Sequence, residues 1–232
     1  DALPFACALE MIHTYSLIHD DLPGMDNDDY RRGRLTNHKV FGEGFAILAG
    51  DGLLNYAYEC ILKNALDYGA NLEGHILAAR EIAQRAGVGG MVAGQSIDLL
   101  SEHREPNEAT LHYIHMHKTA DLLTAPLLAA AYIAGADEKS IAALRTFGAC
   151  VGLAFQIDDD LLDVMGDAKD LGKQTGMDEQ RGKMTWPSLV GVEAAQKKSR
   201  ELWTQAEEAL AVFGDSAWFL REFAEALAKR KK

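Results

Sequence analysis

Cysteine is scarce in this 232-residue chain: Cys7, Cys60 and Cys150 are far apart, odd in number and set among apolar neighbours. That argues against a disulfide framework and for buried free thiols in a reducing compartment, so a cytoplasmic location is expected. Period-2 runs of β-branched residues are nearly absent, which excludes a sheet-built domain. The longest apolar run, LLTAPLLAAAYIAGA at 122–136, contains Thr124 and Pro126. It falls short of the roughly 20 residues a membrane helix needs, so no stable membrane insertion is expected. Positive charge is in deficit: the net charge of −12 argues against a general nucleic-acid partner. The only basic run is the tail, Lys229 to Lys232, either a solvated end or a lid. No signal peptide is visible, and the chain opens without Met in what reads as a helix already under way. Residues are therefore expected to precede it.

What is present is helical periodicity, over 2–20, 43–66, 74–100, 107–135, 138–165, 186–212 and 216–229. Asn107 ahead of Glu108 and Asp137 ahead of Glu138 read as helix starts. Connectors fall at 22–42, 101–107 and 166–185, and the first and last are long for a helical bundle, which marks them as functional or mobile. The expectation is one all-α domain over 1–232, with about seven long helices.

Two acidic clusters stand out. IHDDLPGMDNDDYRRG places Asp20, Asp21, Asp26, Asp28 and Asp29 where Pro23 and Gly24 stop a helix. In FQIDDDLLDVMGD, Gln156, Asp159, Asp160 and Asp163 share one helical stripe, with Ile157, Leu161, Leu162 and Val164 around it. Carboxylates gathered beside apolar surface are costly without a counter-ion. Mg²⁺ is the natural partner, because it takes oxygen ligands and binds through one or two carboxylates plus substrate phosphates. Cations suited to phosphate flank both clusters: Arg31 and Arg32, Lys118 beside Thr119, then Lys169, Lys173 and Lys183.

Other patterns carry less. GDAKDLGKQT fails as a phosphate loop, because the Gly166 to Gly172 gap is too long and Gln174 stands where Ser or Thr is required. GVGGMVAG at 87–94 follows a helix rather than a strand, so its glycines point to close helix packing. In LHYIHMHK, His112 and His115 share a face but His117 does not, which argues against zinc. No Ser-His-Asp order is evident.

The segments SLIHDDLPGMDNDDYRRG, AILAGDGLL, GGMVAGQSIDL, HMHKTADLL, GLAFQIDDDLLDVMGD and LGKQTGMDEQRGKMTWPSLVG resemble the short-chain trans-isoprenyl diphosphate synthases. Within them the likeness is greatest to the bacterial farnesyl diphosphate synthases, and it runs over essentially the whole chain. The resemblance implies an all-α bundle around a central cavity, usually a homodimer. It implies that Asp20, Asp21 and Asp26, with Asp159, Asp160 and Asp163, hold three Mg²⁺ (or Mn²⁺) against an allylic diphosphate. It makes Asp20, Asp26, Lys118, Asp159 and Lys173 catalytic. Arg31, Lys118, Thr119, Gln156, Lys173 and Lys183 match positions that contact the allylic substrate, dimethylallyl or geranyl diphosphate. His13 and Arg32 match positions that bind isopentenyl diphosphate, and His13 lies two helical turns before Asp20. The family's Gly-Gly-Lys-x-x-Arg segment is absent from this sequence, and Asp158 lengthens the second motif by one acid. Tyr15 and Ser16, five and four positions before Asp20, match positions that set product length, an aromatic at the former going with C15. The rival readings are a geranylgeranyl synthase, a terpene cyclase, a non-catalytic partner subunit and a di-metal oxidase.

Overall fold

The computed structural model describes residues 2–67, 71–105, 107–165 and 182–230. Helices dominate: α1 (Leu3–Asp20), α2 (Asn37–Phe41), α3 (Glu43–Asp67), α4 (Leu72–Ala86), α5 (Met91–Ser101), α6 (Glu108–Ile114), α7 (Asp121–Ile133) and α8 (Glu138–Met165), followed by α9 (Trp186–Val190), α10 (Val192–Ala209) and α11 (Trp218–Ala228). A π-helical segment, His115–Ala120, joins α6 to α7, and a 3₁₀ segment, Leu210–Ala217, joins α10 to α11. The starts read from sequence hold: Asn107 accepts from the Thr110 N–H at 3.0 Å, and Asp137 from the Ser140 N–H at 2.7 Å.

Three expected helices are interrupted. The 74–100 stretch breaks at 87–90, where three glycines in four residues remove the propensity that apolar spacing alone implies. The 107–135 stretch carries the π segment, and the 186–212 stretch breaks at Gly191. The 22–42 connector holds a two-strand hairpin, β1 (Tyr30–Arg31) against β2 (Arg34–Leu35), too short for a period-2 signal. Its turn residues Arg32 and Gly33 both take positive φ, 53° and 76°, as two-residue hairpin turns favour.

Two apolar cores form. Phe5, Ala8, Ile12 and Tyr15 of α1 pack with residues of α3, α4 and α7. Phe147, Val151, Ala154 and Ile157 of α8 pack with Leu202, Ala206 and Leu210. Phe147, Ile12, Ile61 and Ile157 are fully buried, each stabilising the fold by roughly 1.5–3 kcal/mol. By length and composition α8 could cross a membrane, but its apolar face is this second core. Between the cores, α1, α5, the π segment, α7 and Phe155 of α8 surround a cavity of about 810 Å³.

Candidate functional site

Asp20 ends α1 and Asp21 caps it. Beyond Pro23 the chain turns back, and the Asp26 N–H donates to the Asp20 carbonyl at 2.9 Å, which returns the third acid to the first. Asp20 Oδ1 accepts from Gln95 Nε2 at 2.8 Å and lies 4.0 Å from Lys118 Nζ. Asp21 is buried, and the Arg31 fork grips it: Nε lies 2.9 and 3.0 Å from its oxygens and Nη2 lies 2.7 Å from Oδ1. The same Nη2 is 3.9 Å from Asp20. Lys183 Nζ sits 3.0 Å from both Asp26 oxygens. Asp28 and Asp29 instead serve the hairpin: the Asp28 carbonyl accepts from Thr36 Oγ1 and Asp29 pairs with Lys39.

The π segment carries Lys118 and Thr119. Packing forces its path. A Cβ at Gly94 of α5 would strike the Lys118 backbone nitrogen, and one at Gly152 of α8 would strike Ala120. The two glycines let both helices close on the segment, and such π turns recur at functional sites. Lys118 Nζ reaches Asp98 of α5 at 2.6 Å, and Thr119 Oγ1 donates to Gln156 Oε1 of α8 at 2.9 Å. Lys118 thus lies between Asp20 and Asp98, and Lys183 approaches Asp98 to 3.9 Å.

On α8 the acids diverge. Asp158 accepts from Ser199 and from Trp203 Nε1, so the extra acid of the second motif ties α8 to α10. Asp160 is 3% exposed, and its Oδ2 accepts the Trp186 N–H at 2.9 Å. Asp159 is far more accessible, with a side chain 46% exposed, and it pairs with Arg230, whose guanidinium also lies over the Phe155 ring at 3.6 Å. Asp163 is half-buried.

The cavity runs along α1 from Asp20 past Ser16, His13 and Leu9, with Tyr15 on its wall. Met91, Val92, Leu99, Leu122, Leu123 and Pro126 make the opposite side apolar, and Asp20, Gln95, Lys118 and Thr119 lie at the charged end. Tyr15 is buried, edge-on to His19 at 5.4 Å between ring centroids, and Ser16 Oγ donates to the His13 carbonyl.

Electrostatics follow from burial and crowding. Burial raises the Asp20 pKa above the usual carboxylate value, Asp26 adds to this, and Lys118, Lys183 and Arg31 oppose it. For Lys118, burial is the largest influence and pulls downward, yet Asp20, Asp98 and Asp26 together carry its pKa above normal. The hydrogen bond to Asp21 holds Arg31 above its ordinary value. Among the described residues no three His, Cys, Asp or Glu side chains form a ready cage for an ion. Asp20, at the charged end of the cavity, and Asp26, tied back to it, offer oxygen ligands that fit an ion binding through one or two carboxylates plus substrate phosphates.

Of the residues singled out from sequence, Asp20, Asp21, Asp26, Arg31, Lys118, Thr119, Gln156 and Lys183 are linked at one end of the cavity. His13, Tyr15 and Ser16 line it. Arg32 occupies the exposed hairpin turn. Lys169 and Lys173 lie outside the described residues. Sequence reasoning missed Gln95 and Asp98, and it met Arg230 only as part of the basic tail, whose partner Asp159 it did not foresee. Gln95 and Asp98 are three apart on a helix, the same spacing that marked the α8 stripe, but without a cluster to draw attention. His112, His115 and His117 do not converge: His115 meets Trp186, and His117 meets Asp121 within a network with Arg85, Glu81 and Arg145.

Comparison with known proteins bears on what such a site does. The sequence model of the polyprenyl synthetase family matches residues 1–212. A geranylgeranyl diphosphate synthase of Cyanophora paradoxa is 46% identical over 99% of this chain and 76% of its own length. A farnesyl diphosphate synthase of Micrococcus luteus is 47% identical over 90% of this chain and 71% of its own. A geranyltransferase of Helicobacter pylori, crystallised with magnesium and isoprenyl diphosphate, superposes with a TM-score of 0.80 at 34% identity, covering 97% of this chain and 72% of that one.

Proposed function

The chain belongs to the polyprenyl synthetase family, and from that premise we propose that it is a Mg²⁺-dependent short-chain trans-prenyl diphosphate synthase whose product is farnesyl diphosphate. The reaction joins isopentenyl diphosphate to dimethylallyl or geranyl diphosphate and releases inorganic diphosphate. The observation that carries this reading is Lys118, set between Asp20 and Asp98 where an apolar cavity of about 810 Å³ meets its charged rim.

In this reading Asp20, Asp26, Asp159 and Asp163 would hold three Mg²⁺, or Mn²⁺ in their place. When bound, the ions supply positive charge to the leaving diphosphate oxygens. Arg31, Lys118, Lys183 and Lys173 donate to the same oxygens, stabilising the negative charge as the allylic C–O bond breaks. Thr119 and Gln156 orient the diphosphate. The apolar wall excludes water from the allylic cation until the isopentenyl double bond attacks it. A proton then leaves the new carbon skeleton for the departed diphosphate, so no side-chain base is required. His13 and Arg32 receive isopentenyl diphosphate. Tyr15 sets the depth open to the growing chain.

Geranylgeranyl diphosphate is the second reading, since the Cyanophora relative bears that name. An exposed stripe on α3, including Phe45, Leu48, Leu62 and Leu66, supports a homodimer, and the unpaired thiols support a cytoplasmic location.

The test is incubation with isopentenyl diphosphate plus dimethylallyl or geranyl diphosphate, with and without Mg²⁺, and identification of the products by mass spectrometry. A Mg²⁺-dependent C15 product is expected. A C20 product selects the second reading. No product in any arm rejects both and favours a non-catalytic partner subunit.

A further inference from the structure

Asp160 follows Asp159 directly, yet its surroundings are different. It is 3% exposed, and both of its oxygens accept hydrogen bonds: Oδ2 from the Trp186 N–H at 2.9 Å and Oδ1 from Gln156 Nε2 at 3.3 Å. Trp186 makes a second link. Its indole Nε1–H donates to His115 Nδ1 at 3.0 Å, deep in the protein, with Trp186 3% and His115 4% exposed. An indole nitrogen can only donate, so Nδ1 must hold a lone pair and the His115 proton resides on Nε2. That Nε2 lies 3.7 Å from Asp160 Oδ2, beyond hydrogen-bond length but close enough for favourable electrostatics. Burial keeps the ring neutral, with a pKa lowered to about 3.

We propose that Asp160, Trp186 and His115 form a positioning latch, in which the second acid of this aspartate pair orders the diphosphate-binding side chains instead of holding metal. The inference rests on the prenyl synthase reading. The latch joins three segments distant in sequence. Through the Trp186 N–H it fixes the chain three residues after Lys183, which reaches Asp26 and Asp98. Through Gln156 it reaches Thr119. Through His115 it holds the π segment that carries Lys118. One buried carboxylate thereby sets Lys183, Thr119 and Lys118 relative to each other. Asp159, about 100° further round the helix, has a side chain 46% exposed and pairs with Arg230 instead of with the latch. Asp21 offers a parallel in the first pair: it is buried and occupied by Arg31, whereas Asp20 lines the cavity.

The experiment compares wild type with Asp159→Asn, Asp160→Asn, Asp160→Ala and Trp186→Phe, titrating Mg²⁺ at saturating substrates and recording kcat and KM. Asparagine keeps an oxygen for the Trp186 N–H but is a poor metal ligand. Asp160→Asn is expected to keep kcat within about tenfold, at an unchanged half-saturating Mg²⁺ concentration. Asp159→Asn shifts the Mg²⁺ requirement upward. Asp160→Ala loses about 100-fold or more in kcat, as misplaced binding groups do. A shift in Mg²⁺ requirement for Asp160→Asn as large as that for Asp159→Asn overturns the latch. A second readout needs neither turnover nor metal. The Trp186 indole proton, assigned in NMR spectra by its loss in Trp186→Phe, stays protected from exchange in wild type and Asp160→Asn and loses protection in Asp160→Ala. Rapid exchange of that proton in wild type also overturns the proposal. An inactive wild type with a protected indole proton rejects the prenyl synthase reading and leaves the latch standing as structure.

Discussion

Lys183 and Asp26 lie 157 residues apart and meet as an ion pair, the ammonium 3.0 Å from each carboxylate oxygen. Their side chains are 14% and 9% exposed, so water screens the pair little. On the proposed reading, this lysine supplies the metal-free protein with charge that a divalent ion would bring to Asp26.

Removing that lysine therefore has a conditional effect. Lys183→Ala should lower the stability of the metal-free protein by roughly 1–3 kcal/mol, because Asp26 has one charge partner fewer. Mg²⁺ with inorganic diphosphate should recover more stability in the variant than in wild type. Thermal melts with and without these ligands check this, and equal melting temperatures for the two metal-free proteins would refute it.

Asp20 should show the opposite sign. Its folded pKa is raised, chiefly by burial. Its favourable contribution is full below the unfolded value of about 3.8 and is lost as pH rises through the higher folded value. At neutral pH the ionised group opposes folding. Asp20→Asn keeps an oxygen for Gln95 and should raise the melting temperature of the metal-free protein by about 2–5 °C. Prenyl product formation should fall by at least ~100-fold. A lowered melting temperature would contradict the assignment.

His115 predicts acid sensitivity. Its folded pKa is lowered to about 3, mainly by burial. Stability from the neutral ring is present above the unfolded value of about 6.5 and declines as pH falls toward the folded one. Denaturant melts should show wild type losing up to ~1.4 kcal/mol per pH unit more than His115→Gln below pH ~6.5. Parallel pH profiles for the two proteins would show that the ring titrates freely.

Gly94→Ala tests the π segment. The added methyl meets the Lys118 main chain, which must move. Activity should fall by about 100-fold, the scale of a 1 Å misplacement, while circular dichroism still reports a helical fold. Wild-type turnover in this variant would show that the close approach is unnecessary.

Tyr15→Ala opens the cavity wall and should lengthen the product beyond C15. An unchanged chain-length distribution by mass spectrometry would leave Tyr15 as packing alone.

Local chemistry was readable from the chain. Apolar spacing gave α1, α3 and α8 nearly to the residue, because a helix repeats over a few positions and one buried face writes itself at that period. The stripe Gln156, Asp159, Asp160 and Asp163 was visible for the same reason. Its division of labour was not. Asp158 turns to α10, Asp160 to Trp186 and Asp159 to Arg230, and each partner lies dozens of residues away. The break at 87–90 and the π segment were hidden because glycine content and interhelix contact overrode an unbroken apolar pattern.

The sequence by itself determined an all-helical chain with two carboxylate groups and nearby cations. Their spacing is set by covalent geometry within a few turns. Only the tertiary structure decided which charges meet: Lys118 between Asp20 and Asp98, and Lys183 on Asp26. Those pairings depend on how closely the helices approach, through Gly94 and Gly152, and on buried charges finding opposite partners across the fold. The glycines of 87–94 point to close packing, but no local spacing encodes which charges meet.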